Sequence, residues 1–301
     1  MKLKYSFLLV LTALIWGLAF VAQSKSGDYM SAYTFTAVRF LIASICMFPV
    51  IYANDKRTGK KKPEGKELSR LWLSGVICGI LLYLASLLQQ MGITLGTSAG
   101  KAGFLTAMYI IIVPIISHFL FKNPIGINIW LGVLISLVGL YMLCMGDYEA
   151  FAPSDLLVLA CAFVFSLQIL SVDHYSKSCD VIRMSTIEFF ACGVTGAVVM
   201  IFTDIIPHGV ETWAKTLSDP NALIPLLYAA IFSSCVGYTL QNIAQKKVEP
   251  TLASLLFSLE SVFAAVFGWL ILKQGLSTKE LWGCVLVFAA IIIAQLPKKQ
   301  R

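Results

Sequence analysis

The sequence predicts an all-α integral membrane protein whose ten transmembrane helices form two inverted five-helix repeats. Composition is the first observation. Hydrophobic residues make up 58% of the 301 and charged ones 13%, against about 25% charged in soluble domains. A soluble globule of this size has no interior large enough for that much apolar surface. Segmentation is the second: apolar runs recur at the length needed to cross a hydrocarbon core about 30 Å thick at about 1.5 Å rise per residue. The third is an echo at half the chain length. Thr251–Leu272 is apolar around a single charge, Glu260. Earlier by 151 residues, Ala99–Phe121 carries Tyr109 at the position of Glu260, Lys122 at that of Lys273, and Gly132 at that of Gly283. A pattern repeated at half the length marks a duplication, which divides the chain into residues 1–150 and 151–301.

Taken in order, the first run, Tyr5–Gln23, follows Lys2 and Lys4 like the core of a signal peptide. No small-x-small cleavage site follows it, so it is read as an uncleaved first helix. Ala32–Tyr52, Leu71–Gln90, Ala99–Phe121 and Ile127–Met145 complete the first half. Leu156–Val172, Val181–Phe202, Ala222–Ala244, Thr251–Leu272 and Leu281–Leu296 form the second. Between the second and third runs, Asp55–Arg70 is dense in lysine and reads as a solvated loop. Seven of the eight cysteines lie in apolar runs and Cys179 in a short loop, with no CxxC and no metal-ligand spacing. They are small apolar side chains.

Orientation follows from the loops. With the N-terminus inside, the cytoplasmic segments hold 17 Lys and Arg residues; the outer loops hold four, Lys25, Lys215, Lys273 and Lys279. Positive loops stay in the cytoplasm, so both termini are cytoplasmic. The same bias accounts for the net charge of +7 without a nucleic-acid partner. Five helices per repeat is an odd number, so the second copy enters the membrane from the opposite face. Inverted repeats of this kind recur in secondary transporters, with the binding site between the repeats near the midplane. The second helices align at an offset of 149 and the third at 151, which sets Gln90 against Gln241.

The layout resembles the EamA family of the drug/metabolite transporter superfamily. The resemblance rests on Trp16-Gly17, Arg39-Phe40, the run Ala102-Gly103-Phe104-Leu105-Thr106 leading to Pro114, Glu249-Pro250-Thr251, Leu259-Glu260 and the Lys273 to Gly283 spacing. It covers essentially the whole chain. Ser261 stands where the family often has proline, and Lys122 and Lys273 where it usually has an acidic residue. The resemblance implies that helices 1–4 and 6–9 surround a pathway, with 5 and 10 peripheral. It also implies export of a small metabolite or amphipathic compound across the plasma membrane by alternating access.

Arg39, Lys101, Glu188 and Glu260 lie inside apolar runs. Each costs about 2.5–3.5 kcal/mol at a helix centre on insertion scales, and such residues usually face a cavity or a partner. The structural alternative is ion pairing, or snorkelling for Lys101. Functionally, they form a site for a polar substrate, with Glu260 the deepest carboxylate and the candidate proton carrier. Gln90, Gln241 and Asn242, with Gln89, line a cavity or bridge helices. Trp16 and Tyr109 are candidates to stack on an amphipathic substrate, alongside Tyr83, Tyr238 and Trp269. Arg39 lies about 12 Å below the outer edge and Glu260 about 13–14 Å above the inner one at 1.5 Å per residue. In a core of about 30 Å they share a depth to within about 5 Å, so an Arg39–Glu260 pair is expected.

No catalytic residue, metal site or cofactor is assigned. The chain has no HExxH, P-loop or dinucleotide fingerprint. One enzyme motif is present: Gly96-Thr97-Ser98-Ala99-Gly100 fits G-x-S-x-G, whose context is a strand–turn–helix. An intramembrane hydrolase using Ser98 is therefore the rival, and a non-transporting receptor a third reading. The expected partners are a small-molecule substrate, protons as coupling ion, and the lipid bilayer.

Overall fold

In the computed structural model, which describes residues 2–59, 62–121, 126–144, 151–272 and 277–295, every regular element is helical. The helices are α1 (Lys2–Gly27), α2 (Ala32–Thr58), α3 (Gly65–Thr94), α4 in two pieces (Ala99–Thr106 and Tyr109–Phe121) and α5 (Ile127–Cys144). The second half repeats the order. It runs α6 (Pro153–Ser176), then α7 (Val181–Met200, continued through Ile201–Ile205 to Ile206–His208). Next come α8 (Pro220–Tyr228, Ala229–Gly237 and Tyr238–Gln245), α9 (Pro250–Phe257 and Leu259–Leu272) and α10 (Thr278–Gln295). Among the described residues nine spans, from Leu3–Gly27 to Pro250–Phe267, are long and apolar enough to cross a membrane. The tenth helix is α10.

Several helices outlast their apolar runs. Asp55–Arg70 is not a loop throughout: α2 continues to Thr58, where Gly59 at φ 61° caps it, and α3 begins at Gly65. Lys, Arg and Glu are good helix formers, so helical hydrogen bonding continues past the hydrocarbon. Val210–Ser218, which falls in the expected outer loop, is an amphipathic helix with Val210, Trp213 and Leu217 at helical spacing. Lys122, Lys273, Lys60, Lys61, Lys298, Lys299 and Arg301, used in reading the loops, lie outside the described residues. All eight cysteines are free thiols.

The main helix contacts are kept when each helix is exchanged for the one five places on. Thus α1 packs on α9 and α6 on α4; α2 packs on α8 and α7 on α3; α1 packs on α8 and α6 on α3. Two further pairs, α2 with α7 and α5 with α10, map onto themselves. In the last pair Gly132 faces Ala290 and Ala294 while Gly139 faces Gly283 and Val287, so the equivalent helices run antiparallel. That is the signature of inversion. The helices approach to backbone distance: a Cβ on Gly283 would stand 2.6 Å from the Gly139 carbonyl oxygen. Small residues permit such contacts between membrane helices, where lipid supplies no hydrophobic drive. The ends of α2, α6 and α8 that meet Arg183 and Lys246 form a basic face. The ends near Ser31, Thr97 and Asp204 form the opposite one.

Candidate functional site

Two helix breaks build the centre. α4 is interrupted at Ala107-Met108 and α9 at Ser258, equivalent positions at the offset of 151. Around the first, Met108 N bonds to the Leu105 carbonyl and Ile110 N to Ala107, a tighter three-residue pattern. Around the second, Ser261 N bonds to Ser258. Local tightening within a helix marks a hinge or a functional site. Each break delivers the polar residue two positions on, and these two meet: Tyr109 Oη donates to Glu260 Oε1 at 2.9 Å, both side chains buried. The pair is thus made of equivalent residues from the two halves. α1 closes against this point because Gly17 has no side chain; a Cβ there would lie 2.7 Å from the Glu260 carbonyl oxygen.

A cavity of about 40 Å³ opens beside the pair, lined from α1, α2, α3, α4, α6, α8 and α9. Neither α5 nor α10 contributes to it. Its aromatic walls are Trp16, Tyr238, Phe165 and Phe257, with Trp16 at 4.8 Å from Tyr238 and 5.2 Å from Phe257 between ring centroids. Trp16 is held by its Nε1–H, which donates to the Ser233 carbonyl in the π-helical stretch of α8 at 3.2 Å. The polar lining includes a bonded run in which Gln23 donates to Gln89 and Gln89 to Thr106, each at 3.0 Å. With a water's share of liquid volume about 30 Å³, this space admits a water or two. A drug-sized ligand needs about 300–1,000 Å³, so the bundle here is contracted around its centre.

Arg39 lines the same cavity and is 2% exposed. Its guanidinium carbon sits over Phe40 at 4.8 Å and Phe35 at 5.1 Å. Among the described residues it makes no ion pair, and its buried Nε has no hydrogen-bond partner. The expected Arg39–Glu260 pair is therefore not formed. Depth along each helix was counted; rotation about the helix axis cannot be, and Glu260 turns to Tyr109 instead.

Of the candidates named from the sequence, Arg39, Glu260, Tyr109, Trp16, Gln241, Gln89 and Tyr238 line the cavity. Lys101, Glu188, Gln90, Asn242, Tyr83 and Trp269 are not in its lining, although Glu188 and Gln90 bond to Gln168 and Gln23, which are. Lys101 Nζ pairs with Asp155 Oδ2 at 2.6 Å, with side chains 5% and 0% exposed. Thr97 Oγ1 donates to Asp155 Oδ1 at 2.9 Å. Glu188 accepts from Gln168 at 2.8 Å and from Asn242 at 2.6 Å, tying α6, α7 and α8 together. Gln90 donates to the Gln23 carbonyl at 3.1 Å. Asp155, Gln168 and Gln23 were not singled out, although an amide inside an apolar run was signal enough for the two glutamines. Ser98 is a helix N-cap, accepting from Lys101 N at 3.3 Å. The strand a nucleophile elbow needs is absent among the described residues.

Apolar helices in two related halves, closing on a buried polar cavity, define a multi-pass membrane transporter. The chain belongs to the EamA-like transporter family, whose model matches residues 3–145 and again 152–295. An uncharacterized transporter of Archaeoglobus fulgidus is 31% identical over 96% of this chain and 84% of its own length. A Chlamydia muridarum protein named as an S-adenosylmethionine/S-adenosylhomocysteine transporter is 25% identical over 89% and 84%. One solved crystal structure shares the fold with a TM-score of 0.75 at 17% identity, covering 98% of this chain and 97% of that one.

Proposed function

We propose that the chain is a secondary transporter that exports a small amphipathic metabolite across the cell membrane by alternating access, with the repeats 1–150 and 151–301 moving against each other. The observation that carries this reading is Arg39: a buried guanidinium on the cavity wall with no carboxylate paired to it among the described residues. An unpaired membrane-embedded charge is costly to keep, and an anionic group on the substrate relieves that cost. Glu260, held by Tyr109, carries a proton as coupling ion. Trp16 and Phe257 pack against the apolar part of the substrate, and Gln241 and Gln89 bond its polar part. The Chlamydia relative supports cargo of this kind, since the compounds in its name combine a carboxylate with an aromatic base. Lys101, Glu188, Gln90 and Asn242 hold the helices that form the walls. The loop charges support cytoplasmic termini. The chain is read as a carrier and not an enzyme, since Ser98 serves as a helix cap.

The test is metabolite profiling of medium from cells overexpressing the protein, against cells expressing Glu260→Gln and Arg39→Gln at equal level. A compound enriched several-fold by the parent alone is the cargo. Identical profiles in all three would reject export and favour a receptor.

A further inference from the structure

The α2–α7 pair carries polar contacts at both ends, on residues that correspond under the offset of 149. On the opposite face Asp204 Oδ2, in the last stretch of α7, takes the hydroxyls of Ser31 and Thr34, Thr34 Oγ1 at 2.5 Å. On the basic face Asp55 Oδ2, in the last turn of α2, takes Arg183 Nη2 at 2.8 Å. Adding 149 to 31, 34 and 55 gives 180, 183 and 204. Ser31 and Asp180 are the N-caps of α2 and α7; each side chain accepts from the first turn of its own helix, Ser31 from Thr34 N and Asp180 from Arg183 N. The residue three after each cap, Thr34 or Arg183, then holds the carboxylate at the end of the other helix. The chemistry differs, hydroxyls at one face and a guanidinium at the other, while the positions repeat.

Between the two contacts the helices touch at backbone distance. A Cβ on Gly193 would stand 2.8 Å from Leu41 N, and one on Gly196 3.0 Å from the Ala37 Cα. Arg39, on the cavity wall, lies in this same stretch of α2. Close contact in the middle with releasable polar contacts at the ends is the geometry of a lever on a pivot. Tilting α7 against α2 separates one end while the other stays closed, and shifts the wall that carries Arg39.

We propose that Asp204 and Asp55 are the two latches of the transport cycle, one at each face, released one at a time. Both are closed here, which agrees with the contracted cavity. The inference rests on the carrier reading above, but its test does not need the cargo. Ser233→Cys in a Cys235→Ser background, since Cys235 is a free thiol on the same peptide, places a thiol on the cavity wall, and its labelling by a membrane-impermeant maleimide, added from either side of sealed vesicles, is read by mass spectrometry of that peptide. Asp204→Asn should speed labelling from the Asp204 face by about tenfold, the factor one hydrogen bond to a charged group is worth. Asp55→Asn should do the same from the basic face only. Exchanging the pair as Asp55→Arg with Arg183→Asp, with Asp180→Asn added because Arg183 also bridges Asp180 Oδ2 at 3.5 Å, should return that face to the parent rate. Asp173→Asn, which breaks the 2.7 Å bridge to Lys177 at the C-terminal end of α6, should change neither side. Unchanged rates, or acceleration from the same face by both variants, overturns the proposal. If Asp55→Asn fails to fold, the exchanged pair decides: parental labelling supports the latch, and fast labelling from the basic face overturns it. If no solute is ever carried, opposite-sided labelling still stands alone, so the two failures read differently.

Discussion

Two buried cations in this bundle differ in what they lack. Lys101 has Asp155 at 2.6 Å, and removing one member of a buried ion pair costs about 3–5 kcal/mol. Asp155→Ala should therefore sharply lower thermal stability in detergent, and a variant with the parent's melting temperature would show that the pair is dispensable. Among the described residues Arg39 has aromatic faces and no ion pair, each face worth about 0.5–2 kcal/mol. Arg39→Gln should leave folded protein in the membrane at the parental level or above it. Its effect falls on the cargo instead: loss of a hydrogen-bonded charge contact, about 1.5–3 kcal/mol, should raise the apparent Km about tenfold or more. Arg39→Lys should recover part of that, being a point charge without the fork. Transport kinetics in proteoliposomes check both, and an Arg39→Gln protein that misfolds while Asp155→Ala does not would reverse the two roles. At this scale the sequence exposed the buried charges because lipid makes any charge conspicuous. It hid Asp155 and Asp204, which stand at the edges of apolar runs where a carboxylate reads as part of a loop. It also hid the choice between Arg39 and Tyr109 as partner of Glu260, since two side chains at one depth meet only if both helices turn the right face.

At the scale of the helix, number and order could be read from the runs, and ends could not. Hydropathy reports where lipid begins, whereas a helix stops where a cap stops it, as at Gly59 with its positive φ. The interruptions of α4 and α9 had no such signal. Ala107-Met108 and Ser258 are unremarkable residues, and the break becomes visible only from hydrogen bonds that shorten to three residues. Those breaks aim Tyr109 and Glu260 at each other, so Tyr109→Phe should remove the partner Glu260 has among the described residues while leaving the helices in place. Gradient-driven accumulation should fall, with exchange of cargo without a gradient retained; unchanged accumulation would separate the pair from coupling. α5 and α10 offer the contrast. They stand away from the cavity and pack through Gly139 and Gly283. Gly283→Leu should lower the amount of folded protein by overpacking, typically about 1–3 kcal/mol, and leave the Km of the surviving protein unchanged. A shifted Km would place α10 within reach of the site.

The whole molecule is organised by one exchange, helix for helix at five places on, and its consequences run from topology to chemistry. Because the repeat is odd-numbered, copies of one ancestral contact land on opposite faces; α2 and α7 carry that contact at both ends, and Tyr109 and Glu260 meet as counterparts in the middle. An antiparallel pair of equivalent helices is possible in a membrane only if the halves enter from opposite sides, which relates the halves to each other and leaves open which face is cytoplasmic. The proposed orientation rests on loop charge, 17 Lys and Arg on the side of the termini against four on the other, which the positive-inside rule reads as cytoplasmic termini. A reporter active only in the cytoplasm should therefore work when inserted at Pro63 or fused after Arg301, and should be silent at Lys215. Activity at Lys215 alone would turn the molecule over and exchange the faces of the two latches without touching the repeat. Activity at Pro63 and Lys215 together would put an even number of spans between them. It would remove the inversion, and with it the reason for equivalent contacts to lie at opposite ends.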